Sequence, residues 1–312
     1  MLNKVLVTGG CGFIGSHLVS DLLNKGFRVA VVDNLSSGKL DNIENSQVDF
    51  YQLDILDSSL IKVFTEFKPD YVVHLAAQGS VSASLTNFVF DAEINIKGSL
   101  KIIEMAKTFN VKKIIFASSA AVYGEPKQLP IGEGHELNPL SPYGLSKLTV
   151  EKYLNLILKN FGVNFSVLRF SNVYGINQRT DNEGGVISIF IDNILKGSSP
   201  TIYGNGNQTR DFISVRDVSE AIIQSIFHGN RSVFNISTNK AVTINEIVEL
   251  IAQLSDYNGP IRYEDSRVGD ISDSLLDNSD AMDALDWYPK IDIKNGLKEV
   301  IDYEKNKGIE TF

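Results

Sequence analysis

The sequence predicts an α/β fold, a doubly wound parallel sheet followed by a smaller C-terminal α/β substrate domain. Two observations carry that prediction: short, unbroken apolar runs, and amphipathic segments of helical period between them. Val5-Leu6-Val7, Val29 to Val32, Tyr71-Val72-Val73 and Ile114-Ile115-Phe116 do not alternate with polar residues. Phe165 to Phe170 is mixed but rich in β-formers. An unbroken run marks a strand covered on both faces, as in a parallel sheet. The intervening segments 13–25, 57–67, 87–109 and 143–160 have the pattern of helices packed on such a sheet.

Beyond residue 171 the pattern loosens. Gly and Asn collect at Asn182–Gly185 and Gly204–Asn207, and helical stretches follow at 186–196, 215–227, 243–254 and 292–306. Val233-Phe234-Asn235-Ile236 reads as a strand able to return to the main sheet. The expected division is 1–171 for the domain of the main sheet, with a returning segment near 211–240, and 172–312 for an interleaved second domain.

Composition narrows the function. The chain has 312 residues, 43% hydrophobic and 21% charged, enough for a large core. A formal net charge of -9 argues against a nucleic-acid binder, which needs a basic face. The single cysteine, Cys11, excludes an internal disulfide and points to a reducing, cytoplasmic setting. The four histidines have no cysteine partners at zinc spacing, so no metal is expected. No apolar run approaches the roughly 20 residues that span a bilayer, and the first residues lack a signal-peptide core.

The loop Gly9-Gly10-Cys11-Gly12-Phe13-Ile14-Gly15 follows the first strand and opens the first helix. Glycines allow a tight turn and close approach to a pyrophosphate, and the helix N-terminus offers free N–H groups with a positive dipole end. The spacing of Gly9, Gly12 and Gly15 is G-x-x-G-x-x-G, and its place between strand and helix makes it a cofactor signal in a Rossmann-like fold. Asp33 ends the second strand, where a carboxylate can bind both ribose hydroxyls and repel a 2′-phosphate. That choice favours NAD over NADP. The competing reading of Asp33 is a turn cap in Asp33-Asn34-Leu35-Ser36.

Ser141-Pro142-Tyr143-Gly144-Leu145-Ser146-Lys147 reads as a helix start, with Ser141 as cap and Pro142 in the first position. Tyr143 and Lys147, four residues apart, share a face. An ammonium and the positive helix end both favour phenolate, so the expectation is a lowered tyrosine pKa and a usable base.

With these motifs in hand, the chain resembles the extended short-chain dehydrogenase/reductase family and, within it, the nucleotide-sugar 4-epimerases. The resemblance extends through His74-Leu75-Ala76-Ala77, Ser118-Ser119-Ala120-Ala121-Val122-Tyr123-Gly124, Asn172-Val173-Tyr174-Gly175, Arg210-Asp211-Phe212 and Arg267-Val268-Gly269-Asp270. It implies roles by position. Ser119 is implied to hydrogen-bond the reacting sugar hydroxyl beside Tyr143 and Lys147, with Ser118 as the fallback. Phe13, Ile14, Asn34, Ser37, Gly38, Asp54, Ile55, Leu75, Ala76, Ala77 and Gly79 are implied to join Gly9, Gly12, Gly15, Asp33, Tyr143 and Lys147 around NAD.

Asn172, Arg210 and Arg267 are implied to hold the nucleotide diphosphate, with Tyr203 in the uridine pocket and Ser274 gating the sugar. For the two arginines, an ion pair with Asp211 or Asp270 is the alternative. His74 and Trp287 are read as structural. Ala120 and Ala121 stand where related dehydratases and decarboxylases carry acids, and neither can transfer a proton. The resemblance therefore implies 4-epimerisation of UDP-glucose/UDP-galactose, and of the N-acetylated pair because Ser274 is small. A homodimer through 87–109 and 143–160 is implied as well. The alternatives are a 4,6-dehydratase, a UDP-glucuronate epimerase or decarboxylase, a non-catalytic NAD-sensing module and a scaffold.

Overall fold

A computed structural model describes residues 3–43, 47–181, 184–266 and 271–309. The chain begins with strand β1 (Lys4–Thr8), helix α1 (Phe13–Asn24) and β2 (Arg28–Asp33). It continues through β3 (Asp49–Gln52), α2 (Leu60–Phe67), β4 (Tyr71–His74), α3 (Val81–Thr86) and α4 (Phe88–Asp91). After a π-helical stretch, Ala92–Gly98, come α5 (Ser99–Thr108), β5 (Lys113–Ser119), α6 (Pro142–Phe161) and β6 (Asn164–Phe170).

The central sheet runs β10-β6-β5-β4-β1-β2-β3, where β10 is Ser232–Ile236, and every neighbouring pair is parallel. The apolar runs are unbroken because alternate residues feed two cores. Val5, Val7, Val29, Val31, Val73 and Ile115 face α1 and α8 (Val215–Phe227). Leu6, Ala30, Val32, Val72, Ile114 and Phe116 face α2, α5 and α6. Each of these side chains other than Ala30 stabilises the fold by about 1.5–3 kcal/mol over leaving it exposed.

Chain order reverses between β1 and β4, so a crevice opens at their carboxyl ends, the place where open α/β sheets bind ligands. The expected strand at 233–236 does return, pairing Phe234 with Leu168. Other features depart from expectation. The edge strand β3 was not foreseen. The segment expected as one helix over 87–109 is instead α4, a π-helical stretch and α5.

A third core holds the C-terminal part together. It gathers Phe190 and Ile191 of α7 (Val186–Leu195), Ile247 and Ile251 of α9 (Ile244–Leu254), and Leu297 of α11 (Ile293–Ile309). A small sheet, β11-β9-β7, lies beside it, made of Ala241–Thr243, Thr209–Ser214 and Asn172–Tyr174. A separate pair joins β8 (Thr201–Tyr203) to β12 (Arg262–Glu264). Helix α10 (Ser279–Leu285) packs its Leu285 into the core that holds β10.

Candidate active site

At the switch point the glycine loop and the loop after β4 touch. Gly9 has φ of +72°, and a Cβ there would lie 2.8 Å from the Ala76 amide nitrogen. At Gly15 a Cβ would lie 2.1 Å from the Gly9 carbonyl oxygen. Both positions exclude any side chain, and the tight turn they permit leaves backbone at the crevice. Helix α1 starts at Gly12 with no side-chain cap and no acid in its first turn. Its first turn, from Phe13 and Ile14, thus keeps free N–H groups at the positive end, as an anion site requires.

Asp33 proves to serve the loop itself. Its buried carboxylate accepts from Cys11 N–H at 2.9 Å and from Leu35 N–H at 2.8 Å. The turn-cap reading thus holds, yet two bonds leave lone pairs on both oxygens for further donors. Asn34 donates to Asp54 at 2.7 Å, joining the ends of β2 and β3. Gly38 lies against the Cys11 backbone, where a Cβ would meet a carbon at 2.6 Å. Ser37 is exposed above it. Ile55 is buried against Gly98. Cys11 is buried, with a thiol pushed up to about 12 by burial and by Asp33, and so is inert.

Leu75 and Ala76 continue from β4, their N–H groups bonded to the Thr8 carbonyl and hydroxyl at 3.1 and 3.3 Å. Ala77 is half-buried and Gly79 exposed. His74 is bonded at both ring nitrogens, to Thr8 at 2.7 Å and Ser99 at 2.9 Å, as a structural residue should be. Burial and the Lys147 charge bring its pKa down to about 3, so the ring is neutral.

Helix α6 begins as expected, with the Ser141 hydroxyl accepting from Gly144 N–H at 3.1 Å and Pro142 in the first turn. It packs closely on the turn after β5, since a Cβ at Gly144 would lie 2.4 Å from the Ala121 carbonyl oxygen. That contact brings Tyr143 to Ser119, and the two side chains hydrogen-bond. The Ser118 hydroxyl instead donates to Glu151. Lys147 is buried, its Nζ donating to the Ala117 carbonyl at 2.9 Å and lying 5.8 Å from the Tyr143 ring centre.

The expected lowering of the Tyr143 pKa is not found in the protein alone. Burial raises it, the Ser119 hydrogen bond opposes that rise, and the Asp91 charge adds to it. Lys147 turns its ammonium to a carbonyl, and burial lowers it to about 8, against the charges of Asp91 and Glu151. A positive charge beside the phenol is still needed to favour the phenolate.

The groups expected to hold a nucleotide sugar divide. Asn172 is exposed on β7, whose neighbour β9 carries Arg210, and Ser274 N–H bonds the Thr209 carbonyl at 3.1 Å. Asn172 and Arg210 therefore lie on adjoining strands, with Ser274 on the segment that runs beside the start of β9. The Arg210 guanidinium donates to the carbonyls of Thr209, Ile271 and Ser272. Asp211 is engaged by Thr238 and Asn239. Tyr203 lies on β8, its carbonyl accepting from Gln208 at 2.7 Å. Arg267 lies outside the described residues.

Sequence reading missed two buried polar clusters. In one, Glu151 pairs with Arg169 through two bonds, at 2.6 and 3.1 Å, and Arg169 also reaches the Tyr123 hydroxyl at 2.9 Å. In the other, Asp91, Asn95, Gln78 and Ser146 converge beneath the tyrosine–lysine helix. The signal that could have found Glu151 is its spacing, one helical turn beyond Lys147.

A glycine cradle at a sheet switch point, joined to a Ser–Tyr–Lys cluster, defines a dinucleotide-dependent enzyme of the short-chain dehydrogenase type. Residues 5–237 match the NAD dependent epimerase/dehydratase family, and the chain belongs to that family. It is 39% identical to a Thermotoga maritima UDP-glucose 4-epimerase solved with UDP-glucose, covering 97% of this chain and 99% of that one, TM-score 0.95. It is 38% identical to the UDP-N-acetylglucosamine 4-epimerase of Methanobrevibacter ruminantium in complex with UDP-N-acetylmuramic acid, covering 98% and 100%, TM-score 0.94. A Thermus thermophilus UDP-glucose 4-epimerase complexed with NAD is 36% identical, covering 97% and 99%, TM-score 0.91.

Proposed function

We propose that this protein is an NAD-dependent isomerase that epimerises UDP-hexoses at C4. The observation that carries the reading is the Ser119–Tyr143 hydrogen bond beside Lys147, with only Ala120 and Ala121 following the serine. A dehydration would need further acids and bases there, and methyl groups supply none. The relatives support the substrate class, being UDP-glucose and UDP-N-acetylglucosamine 4-epimerases.

The residues fit NAD. The uncapped start of α1 and the glycine loop would receive the pyrophosphate, and Asp33 the adenosine ribose, with Asn34, Ser37, Gly38, Asp54 and Ile55 toward the adenine end. Leu75 to Gly79, Tyr143 and Lys147 would flank the nicotinamide half. When bound, NAD supplies a reversible hydride acceptor, so the sugar can pass through a 4-ketone. Tyr143 takes the C4 hydroxyl proton and returns it, Ser119 holds that oxygen, and Lys147, its ammonium on the Ala117 carbonyl, would hold the ribose of the cofactor. Asn172, Tyr203, Arg210 and Arg267 hold the UDP.

Ser274 is small, which supports room for an N-acetyl group and hence activity on UDP-GlcNAc/UDP-GalNAc as well as UDP-glucose/UDP-galactose. The division in this reading is 1–171 for NAD, with 211–240 returning, and 172–312 for the nucleotide sugar. The pairing of β10 with β6 supports the returning segment.

No helix among the described residues is long and apolar enough to cross a membrane. The unpaired Cys11 supports a reducing cytoplasm. A homodimer is supported by Leu85, Phe88, Val89, Leu145 and Leu156, exposed apolar residues on α3, α4 and α6. The test of the activity is NMR of the products from UDP-glucose, UDP-GlcNAc and UDP-glucuronate without added reductant. Conversion of the first two to their C4 epimers supports the reading. A dehydrated or decarboxylated product, or no turnover by protein carrying NAD, overturns it.

A further inference from the structure

Ser118 and Arg169 are cross-strand partners in the register of β5 and β6, so their side chains leave the sheet on one face. That face carries helix α6, and both side chains meet the same carboxylate. The Ser118 hydroxyl donates to Glu151 Oε1, and Arg169 donates to Glu151 through Nε at 3.1 Å and through Nη2 at 2.6 Å. The guanidinium is fixed in turn by the bond from Nη1 to the Tyr123 hydroxyl at 2.9 Å, and that hydroxyl donates to Asn235 at 2.6 Å. Ser118, Glu151 and Arg169 are all buried. Two charges taken from water contribute little net stability. Three bonds on one carboxylate do fix its place, and with it the seat of α6 on the end of β5.

That seat matters because the neighbouring residues serve the site. Along β5 and the turn after it, Ala117, Ser118, Ser119 and Ala121 meet α6 at Lys147, Glu151, Tyr143 and Gly144. Ala117 lies inside the ladder with β6, paired with Leu168. Ser119 is the last residue of the strand, and its hydroxyl also accepts from Ala121 N–H at 3.2 Å where the chain turns. Its approach to the phenol therefore follows from how the strand end is held. Ser118 has its one hydroxyl proton on Glu151 and none for a sugar oxygen.

We propose that Ser118 is a positioning residue: with Glu151 and Arg169 it clamps the end of β5 to α6, and it acts on the chemistry through Ser119, by holding that hydroxyl against Tyr143. The inference rests on the epimerase reading for its catalytic meaning. Proton transfer needs its heavy atoms at hydrogen-bond distance, and a small misplacement costs rate more than binding.

The experiment is a double-mutant cycle in the NAD-loaded enzyme: Ser118→Ala, Ser119→Ala and the two together. Alanine at 118 leaves Glu151 both bonds to Arg169, so no buried charge is orphaned. Ser118→Ala is expected to lower kcat about tenfold, with KM for UDP-glucose unchanged. In the Ser119→Ala background the same substitution is expected to change kcat by less than about twofold, because the hydroxyl it acts through is gone. A structural role alone predicts equal factors in both backgrounds, or a lower melting temperature with kcat unmoved, and either result overturns the proposal. A loss larger than that of Ser119→Ala also overturns it, since Ser118 would then be the hydroxyl on the sugar. Ser118→Cys, close in size and a weak donor, replaces the alanine variant should that one fail to fold. A second readout needs no turnover: the midpoint of Tyr143 ionisation, from phenolate absorbance as the difference from a Tyr143→Phe partner in the same background. The Ser119 hydrogen bond favours the phenolate. Ser118→Ala is therefore expected to raise the midpoint by about half a pH unit, and to leave it unmoved once Ser119 is alanine. That pattern in an enzyme without epimerase activity would sink the epimerase reading and keep this one. Equal shifts in both backgrounds of an active enzyme would do the reverse.

Discussion

The hydroxyl of Ser119 meets the phenol of Tyr143, although the two residues come from a strand end and a helix start 24 positions apart. Their bond joins the carboxyl edge of the central sheet to the helix that carries Lys147. In the proposed reaction it is the proton path to the sugar hydroxyl.

Replacing Tyr143 by Phe removes the acid–base group and should lower kcat by about 10³ or more, within the range for general acid–base catalysis. Ser119→Ala should cost about 10². Both variants should bind NAD and melt as the wild type does. A Tyr143→Phe enzyme with kcat near the wild-type value would remove the phenol from the mechanism.

Ser274 is the expected gate of the sugar pocket. Ser274→Tyr should suppress turnover of UDP-GlcNAc at least tenfold more than that of UDP-glucose, read as the ratio of kcat/KM values. Equal losses on both would show that the residue does not sense the N-acetyl group.

Buried ion pairs are costly to break from one side. Glu151 and Arg169 are 6% and 4% exposed in their side chains. Glu151→Ala leaves the guanidinium unpaired and should destabilise the fold by about 3–5 kcal/mol in denaturant titration. The exposed pair Lys97–Glu93 offers a control, and Glu93→Ala should leave the midpoint unchanged. Similar losses from the two would contradict the assignment of burial as the cause.

Acid should expose the cost of keeping His74 neutral. Its pKa is about 3 in the fold and 6.5 when free. Between those values the unfolded chain holds a proton that the folded chain does not, so stability rises with pH across that window and is level above it. The slope is about 1.4 kcal/mol per pH unit for this group. His74→Gln, able to bond Thr8 and Ser99 without titrating, should lose less stability than wild type as pH falls from about 6 to about 4, inside that window. A steeper loss in the variant would show that the ring is protonated in the fold.

The exposed apolar face on α3, α4 and α6 should be covered by a second copy. Light scattering should give a mass of two chains, and Phe88→Asp with Leu156→Asp should give one. A wild-type mass of one chain would end the dimer proposal.

Much of this was legible in the residues because burial leaves a pattern. The strands at 5–7 and 29–32 read clearly since alternate side chains enter cores on both faces. The start of α6 read clearly because Ser141 and Pro142 are local signals. Strand β3 did not, for Asp49–Gln52 lies at a sheet edge with half-buried residues and no apolar run. The cluster around Asp91 joins residues from separate elements with no local period to announce it, and although Glu151 stands one turn beyond Lys147, its partner Arg169 comes from β6. The direction of the Tyr143 shift was misjudged because helix spacing shows a lysine nearby but not where its ammonium points. The carbonyls of Ile271 and Ser272 that accept from the Arg210 guanidinium lie some 60 positions along the chain, beyond the reach of any local pattern.

The most direct test of the central claim uses UDP-glucose deuterated at C4, incubated with the NAD-loaded enzyme in ordinary water. A hydride that leaves and returns within one pocket predicts UDP-galactose with deuterium still at C4. Deuterium lost to solvent, with product formed, would contradict the account, because the C4 hydrogen would then have moved as a proton.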